Sequence, residues 1–357
     1  MVRHLGDQVL ERIARAEEVQ VLRAIRDSAH EVYRDPLLFD HFDKFHIELN
    51  RLHDALIRRA IELAVRQVDA SGVPSPGLPF AFLLFGSGGR GEQTLWSDQD
   101  NGIVFADPGS EEEAELAGPY FELLAHEIHT RLFVLGYPPC SGEVLARNPM
   151  WRKSYRDYSS MVRGWLEEPN WEHIRYFLIY SDLRCIYGDE ALADKLKQVH
   201  LDYVKEHPPV LRALLHNTLH HKVSLGVFGQ LITERYGEDA GGVDIKYGAY
   251  IPIVNGIRLL AIQAGVAHSG TLERIDALER IGAVNGVLAD EWRAVTKLAL
   301  KLRAMTPFQM ENDMYTTRGK LPAQALTKQR RIELKRCLRC GLRLQRYVRH
   351  AVKGDDR

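Results

Sequence analysis

The fold is narrowed most by a change of hydrophobic period at Phe80. Up to about residue 70 the chain reads as helix. "FHIELNRLHDALIRRAIELAVRQVDA" sets Phe45, Leu49, Leu52, Leu56, Ile57, Ala60 and Leu63 on one stripe, with charges opposite. "SGVPSPGLP" then breaks regular structure. "FAFLLFG" follows as a short, continuously apolar run stopped by glycine, the pattern of a strand buried on both faces. "DNGIVFAD" is a second such run, and "GRGEQTLWS" between them has room only for a turn and a short helix. Two buried strands joined this closely commit the middle of the chain to a small α/β layer, not to Rossmann repeats.

Around that layer the pattern is mostly helical. Residues 111–135 predict an acidic-started helix interrupted near Gly118-Pro119, "GYPPCSG" predicts a turn, and "EVLAR" a short third strand opened by Glu143. After Met150 helices are expected over 151–166, 171–186, 190–206, 210–235, 246–265, 271–282, 288–304 and 327–352. At 357 residues the chain is too long for one small core. The expected architecture is α+β: an N-terminal helical segment over 1–72, a small mixed-sheet domain over 73–200 and a helical bundle over 207–357.

A net charge of -1 gives the whole chain no bias toward nucleic acid or anionic membranes. Four scattered cysteines do not make a disulfide framework. The start is charged and amphipathic, and the longest apolar run, around Phe80 to Phe85, falls far short of the ~20 residues that span a bilayer. A cytoplasmic protein without a membrane partner is expected.

Chemistry concentrates between the two strands. Gly86-Ser87-Gly88-Gly89 follows the first strand and opens a short helix, so its amides suit a phosphate. Ser87 adds a hydroxyl and Arg90 a forked cation. No Lys-Ser/Thr follows, so this is not a Walker A loop; read alone, it fits a plain turn equally well. Asp98 and Asp100 alternate along the second strand, which sets both on one face. Two carboxylates that close repel unless a cation sits between them, and Mg2+ or Mn2+ takes such oxygens together with substrate phosphates. Read alone, D-x-D also fits an Asx turn and a solvated strand edge.

Together, "GS", ten intervening residues and "DQD" between apolar strands resemble the signature of the DNA polymerase beta-like nucleotidyltransferase superfamily. "GSGGRGEQTLWSDQDN" is similar to one branch, a nucleotidyltransferase family related to the PII-protein uridylyltransferases and glutamine-synthetase adenylyltransferases. "ELNRLHDALIRRAIELA" resembles its leading helix, and "GYPPCSGEVLARNPMWRKS" and "YFLIYSDLRCIYGD" its continuation. "DIKYGAYIPIVNGIRLLAIQAGVAHSGTLERIDAL" is similar to its helical substrate-binding module.

The resemblance implies transfer of a nucleoside monophosphate from an NTP, ATP among the candidates, to an acceptor hydroxyl on a protein or small molecule, in signalling or regulation. It implies that Gly86, Ser87, Gly88 and Gly89 hold the triphosphate, with Arg90 on phosphate or bracing the loop, and that Asp98 and Asp100 bind the metal. Glu92, Gln93 and Asn101 also match the branch. Relatives carry a third carboxylate on a following strand, and Glu143 is the candidate, with Asp182, inside an expected helix, competing. Glu143 departs from the small residues common there, which leaves room for a weakly catalytic nucleotide sensor. Lys246 and Arg258, in the helical module, are candidates for holding triphosphate or acceptor, or are surface charge.

Other features carry less. His53-Asp54 on its amphipathic helix reads as a polar helix face, not a metal site. His216, His220 and His221 lack the glutamate of a zinc motif, and Cys337 and Cys340 lack a partner pair. From Lys328 to Lys353 ten Lys/Arg face Glu333 alone. With few aromatics among them to stack bases, nucleic acid is not the expected partner.

Overall fold

The computed structural model describes residues 2–33, 41–226, 228–311 and 314–353. The chain is α+β, and it divides into two compact units. One unit contains the chain up to Val162, with Tyr180–Lys197 and Met310–Thr316; the other contains Arg163–Ile179, Gln198–Gln309 and the chain from Thr317 onward.

In the first unit, α1 (Val2–Arg15), α2 (Val19–Tyr33) and α3 (Phe42–Asp69) precede β1 (Phe80–Leu84), the single-turn α4 (Gly86–Gly89) and β2 (Asn101–Phe105). Then come α5 (Glu111–Val134), β3 (Arg152–Ser154) and α6 (Tyr155–Glu167), whose residues from Arg163 belong to the second unit, as does α7 (Trp171–Tyr180) up to Ile179; β4 (Arg184–Gly188) is again in the first. The sheet order is β3-β2-β1-β4. β1 runs antiparallel to β2, with Phe82 opposite Ile103, and to β4, with a register shift between Phe82 and Leu83; β2 and β3 are parallel.

Both sheet faces are covered, which explains the unbroken apolar runs. Phe82, Leu84, Ile103 and Ile186 pack into the core with Leu56, Ala60, Phe121, Leu124 and Ile128 of α3 and α5. Ala81, Leu83 and Val104 are buried on the other face, and Phe85 packs on Trp151. Burial on this scale, ~25 cal/mol per Å2 of apolar surface, is what holds so small a sheet.

Several sequence expectations are corrected here. "EVLAR" forms no strand: residues 143–147 are irregular, and the strand beside β2 is Arg152–Ser154. The helix expected over 171–186 stops at Tyr180, and β4 takes the rest, because its residues complete the ladder on β1. The interruption at Gly118-Pro119 is absent. α5 runs through it, capped by Ser110 and started by three glutamates, with Pro119 on the exposed flank, where the helix bond it removes is least costly.

In the second unit the order is α8 (Glu190–Glu206, begun in the first), α9 (Leu211–Thr218), β5 (Val243–Asp244) and a π-turn at Lys246–Tyr250. After it come α10 (Ile251–Gln263), α11 (Thr271–Arg280) and α12 (Gly286–Ala304). β6 (Gln309–Glu311) pairs β7 (Met314–Thr316), and from Met310 on these residues belong to the first unit; in the second, β8 (Lys320–Leu321) pairs β5, and α13 (Lys328–Lys353) is the last element. The helix expected over 210–235 is only the eight residues of α9. The chain beyond it is irregular, tied by Ser224, Gly226 and Glu234 backbone bonds. Among the described residues no helix is long and apolar enough to cross a membrane.

Candidate functional site

The antiparallel β1–β2 pair brings the end of β1 and the approach to β2 to the same edge, with Leu84 opposite Asn101. One step further, the Phe85 amide donates to the Asp100 carbonyl (2.9 Å) and the chain turns into α4. Gly86 has φ +51°, and a Cβ there would lie 2.5 Å from Asp100 Oδ2. Only glycine fits both the left-handed backbone and the carboxylate lying against it. Gly86, Ser87 and Gly88 form the first turn of α4, so their amides have no acceptor within the helix. Gly89 presses on neighbouring backbone: a Cβ would stand 2.0 Å from the Asp182 carbonyl oxygen.

The turn is held from beneath by charge. Arg90 is buried, with Nε donating to Glu92 (2.8 Å) and Nη1 to the fully buried Asp182. Arg90 is thus a brace for the loop, and Asp182, placed by sequence inside a helix, sits in the turn between α7 and β4. Arg184 of β4 forks onto Asp54 through two 2.8 Å bonds and donates to the Gly88 carbonyl (2.8 Å). Asn50 of α3 accepts from the Gln93 amide (2.8 Å). His53, expected on a polar helix face, is fully buried between Tyr137 Oη (2.6 Å) and the Thr94 carbonyl (3.0 Å), and burial lowers its pKa to about 3. Of these braces sequence reasoning offered only Arg90, as one of two roles; the ties through Asp182, Arg184–Asp54, Asn50 and His53 it missed, although Glu92 and Gln93 matched the branch.

Asp98 and Asp100, expected on the second strand, lie just before β2 and flank Gln99. Gln99 turns inward, its amide bonded to the Pro138 carbonyl and its side chain to the Tyr137 carbonyl, both at 2.8 Å. Alternation therefore sets the two half-buried aspartates together on the other face. Asn101 fixes the loop above by accepting from the Ala146 amide (2.8 Å) while its own amide donates to the Val144 carbonyl.

That loop brings in a residue that no motif singled out. The Cys140 thiol donates to Asp100, and burial first, then the charges of Asp100 and Asp98, push its pKa up to about 12. Glu143 lies three residues on, with φ +53° and an exposed side chain paired to Arg147 (3.3 Å). β3 itself is Arg152-Lys153-Ser154 and carries no carboxylate.

Gly86, Ser87, Asp98 and Asp100 are thus gathered at one sheet edge. Their donor set, two aspartates against a glycine that leaves their oxygens room, fits a hard divalent ion that completes its shell with water and phosphate. Lys246 belongs to the second unit. Its amide donates to the Gly319 carbonyl (3.1 Å), and its Nζ lies 5.3 Å from the centre of the Tyr247 ring. Asp244 caps the same turn by accepting from the Tyr247 amide (2.7 Å), and Arg258 is buried on Asn255 (3.0 Å).

Two family models match successive parts of the chain. One, described as "putative nucleotidyltransferase DUF294", covers residues 41–172, and one described as "putative nucleotidyltransferase substrate binding domain" covers residues 208–352. Similar curated proteins are bifunctional glutamine synthetase adenylyltransferase/adenylyl-removing enzymes from two strains of Xanthomonas campestris pv. campestris. Each is 28% identical over 220 residues, which is 57% of this chain. The chain spans about a fifth (21%) of the length of these relatives. Sequence, fold and both family matches agree: the chain belongs to this nucleotidyltransferase family, its nucleotidyltransferase domain followed by the family's substrate-binding domain.

Proposed function

We propose that the protein transfers a nucleoside monophosphate from an NTP to an acceptor hydroxyl of a protein or small molecule, dependent on Mg2+ or Mn2+, in a regulatory role. The observation that carries this reading is Gly86, whose missing side chain leaves the space that Asp100 Oδ2 occupies. The same glycine allows the left-handed turn and keeps a carboxylate beside the first amides of α4.

In this reading Asp98 and Asp100 would hold the divalent ion, which supplies positive charge to the triphosphate oxygens when bound. The amides of Gly86, Ser87 and Gly88 and the Ser87 hydroxyl orient the phosphates, while Gly89 lets the turn close on Asp182. The acceptor oxygen attacks the α-phosphorus, its bond to the bridging oxygen breaks, and pyrophosphate leaves. The protein's contribution is position and prearranged charge. Arg90 keeps the turn rigid through Glu92 and Asp182 without reaching substrate. Glu143, on the Cys140 loop with an exposed carboxylate, takes the acceptor-side role of receiving the hydroxyl proton. Lys246 is proposed to steady triphosphate or acceptor.

A second reading, a nucleotide sensor with little chemistry, rests on β3 lacking a carboxylate and on Glu143 being tied to Arg147. Incubation with each α-labelled NTP, Mg2+ or Mn2+ and cell lysate separates the two. The expected outcome is label transfer and pyrophosphate release that vanish in Asp98→Asn and Asp100→Asn, and fall in Glu143→Gln. No aspartate-dependent release with any NTP, beside retained nucleotide binding, would leave the sensor.

A further inference from the structure

α13 buries Leu334, Cys337, Leu338, Gly341, Leu344 and Val348 and turns its arginines outward. Arg336, Arg339, Arg343 and Arg346 are exposed and follow one another at spacings of three, four and three residues. That is the heptad rhythm of a helix seam, here written in charge. Ile332, 57% exposed, continues the line one turn earlier. The line from Ile332 to Arg346 is about 21 Å long at 1.5 Å per residue.

Like charges at these spacings destabilise a helix, so an all-arginine line is costly unless something neutralises it. The chain as a whole is near neutral, with a net charge of -1, so the line is a local concentration and not a reflection of composition. Arg343 already takes the carboxylate of Glu291, while Arg336, Arg339 and Arg346 make no ion pair among the described residues. Arginine forks fit carboxylates two bonds at a time. No aromatic side chain stands on the line to stack a base: Tyr347 is turned onto Trp292, with ring centres 5.4 Å apart. The apolar end at Ile332 and the heptad spacing match a helix better than a nucleotide strand.

We propose that the outward line Ile332–Arg336–Arg339–Arg343–Arg346 docks an acidic amphipathic helix of a partner protein, one with carboxylates at three- and four-residue spacing and an apolar residue at one end. This surface belongs to the second unit and does not depend on the nucleotidyl-transfer reading.

The test measures fluorescence anisotropy of the full-length protein with three probes. They are a labelled helical peptide bearing glutamates at heptad spacing and one terminal leucine, the same composition scrambled, and a single-stranded RNA oligonucleotide. The patterned peptide is expected to bind at least ~tenfold tighter than the scrambled one. Binding should weaken with added salt and fall at least ~tenfold in Arg336→Glu/Arg339→Glu/Arg346→Glu, as for removal of facing charge pairs. The triple Gln variant, which removes charge without reversing it, guards against a folding defect and is expected to fall less far. Equal binding of both peptides, tighter α13-dependent binding of RNA, no peptide binding, or binding unchanged in both variants would each overturn the proposal.

Discussion

Gly86 is where one atom's absence matters most. A methyl group there would meet Asp100 Oδ2 at 2.5 Å and would have to accept φ +51°. The left-handed backbone costs an alanine ~1–2 kcal/mol, while the displaced carboxylate takes one of the oxygens proposed to hold the metal out of place. Gly86→Ala should therefore lower nucleotidyl transfer at least ~100-fold, the order lost when one charge-stabilising group is removed from a reacting centre. The melting temperature should fall by only a few degrees; a labelled-NTP assay beside a thermal melt checks both. Arg90 teaches the complementary lesson at this scale. By type and position it was equally suited to phosphate, and only its burial between Glu92 and Asp182 marks it as a brace. A buried arginine with two carboxylate partners satisfies its donors inside the protein, and sequence spacing cannot reveal a partner 92 residues away.

At the scale of elements, the strands and most helices follow local pattern, and the exceptions follow pairing. β4 was hidden because its residues continue a helical-looking run, and it becomes a strand by completing the edge of β1. "EVLAR" has strand-like residues, but its Val144 carbonyl and Ala146 amide bond to Asn101, which holds it as a loop and sets Glu143 at φ +53°. The tie between α3 and the segment after the turn is His53, buried on Tyr137 and Thr94 with its pKa lowered to about 3 from 6.5, chiefly by burial. The folded state keeps this ring neutral, whereas the unfolded chain protonates it below pH 6.5. Its contribution to stability is thus intact above pH 6.5 and is lost as pH falls toward 3, at up to about 1.4 kcal/mol per pH unit. Urea unfolding at stepped pH should show this slope, and His53→Gln should flatten it.

For the whole molecule, a ligand that binds only the folded state stabilises it by about 2.7 kcal/mol at a hundredfold excess over its Kd. An NTP with Mg2+ or Mn2+ should raise the melting temperature, and Asp98→Asn should erase the rise, as differential scanning fluorimetry would read. The sequence by itself determined the α+β class, the two apolar strands, the glycine turn, the carboxylate pair and the basic last helix. Each of these is set by periodicity or by residues within about one turn or strand of each other, where local sterics and hydrophobic pattern act. Only the tertiary structure decided which strand lies beside β2, that Arg90 and Asp182 face each other, that Cys140 touches Asp100, and that the α13 arginines lie outward in one line. Those depend on burial and on long-range hydrogen bonding, which satisfy polar groups with partners distant in sequence, so no local pattern encodes them.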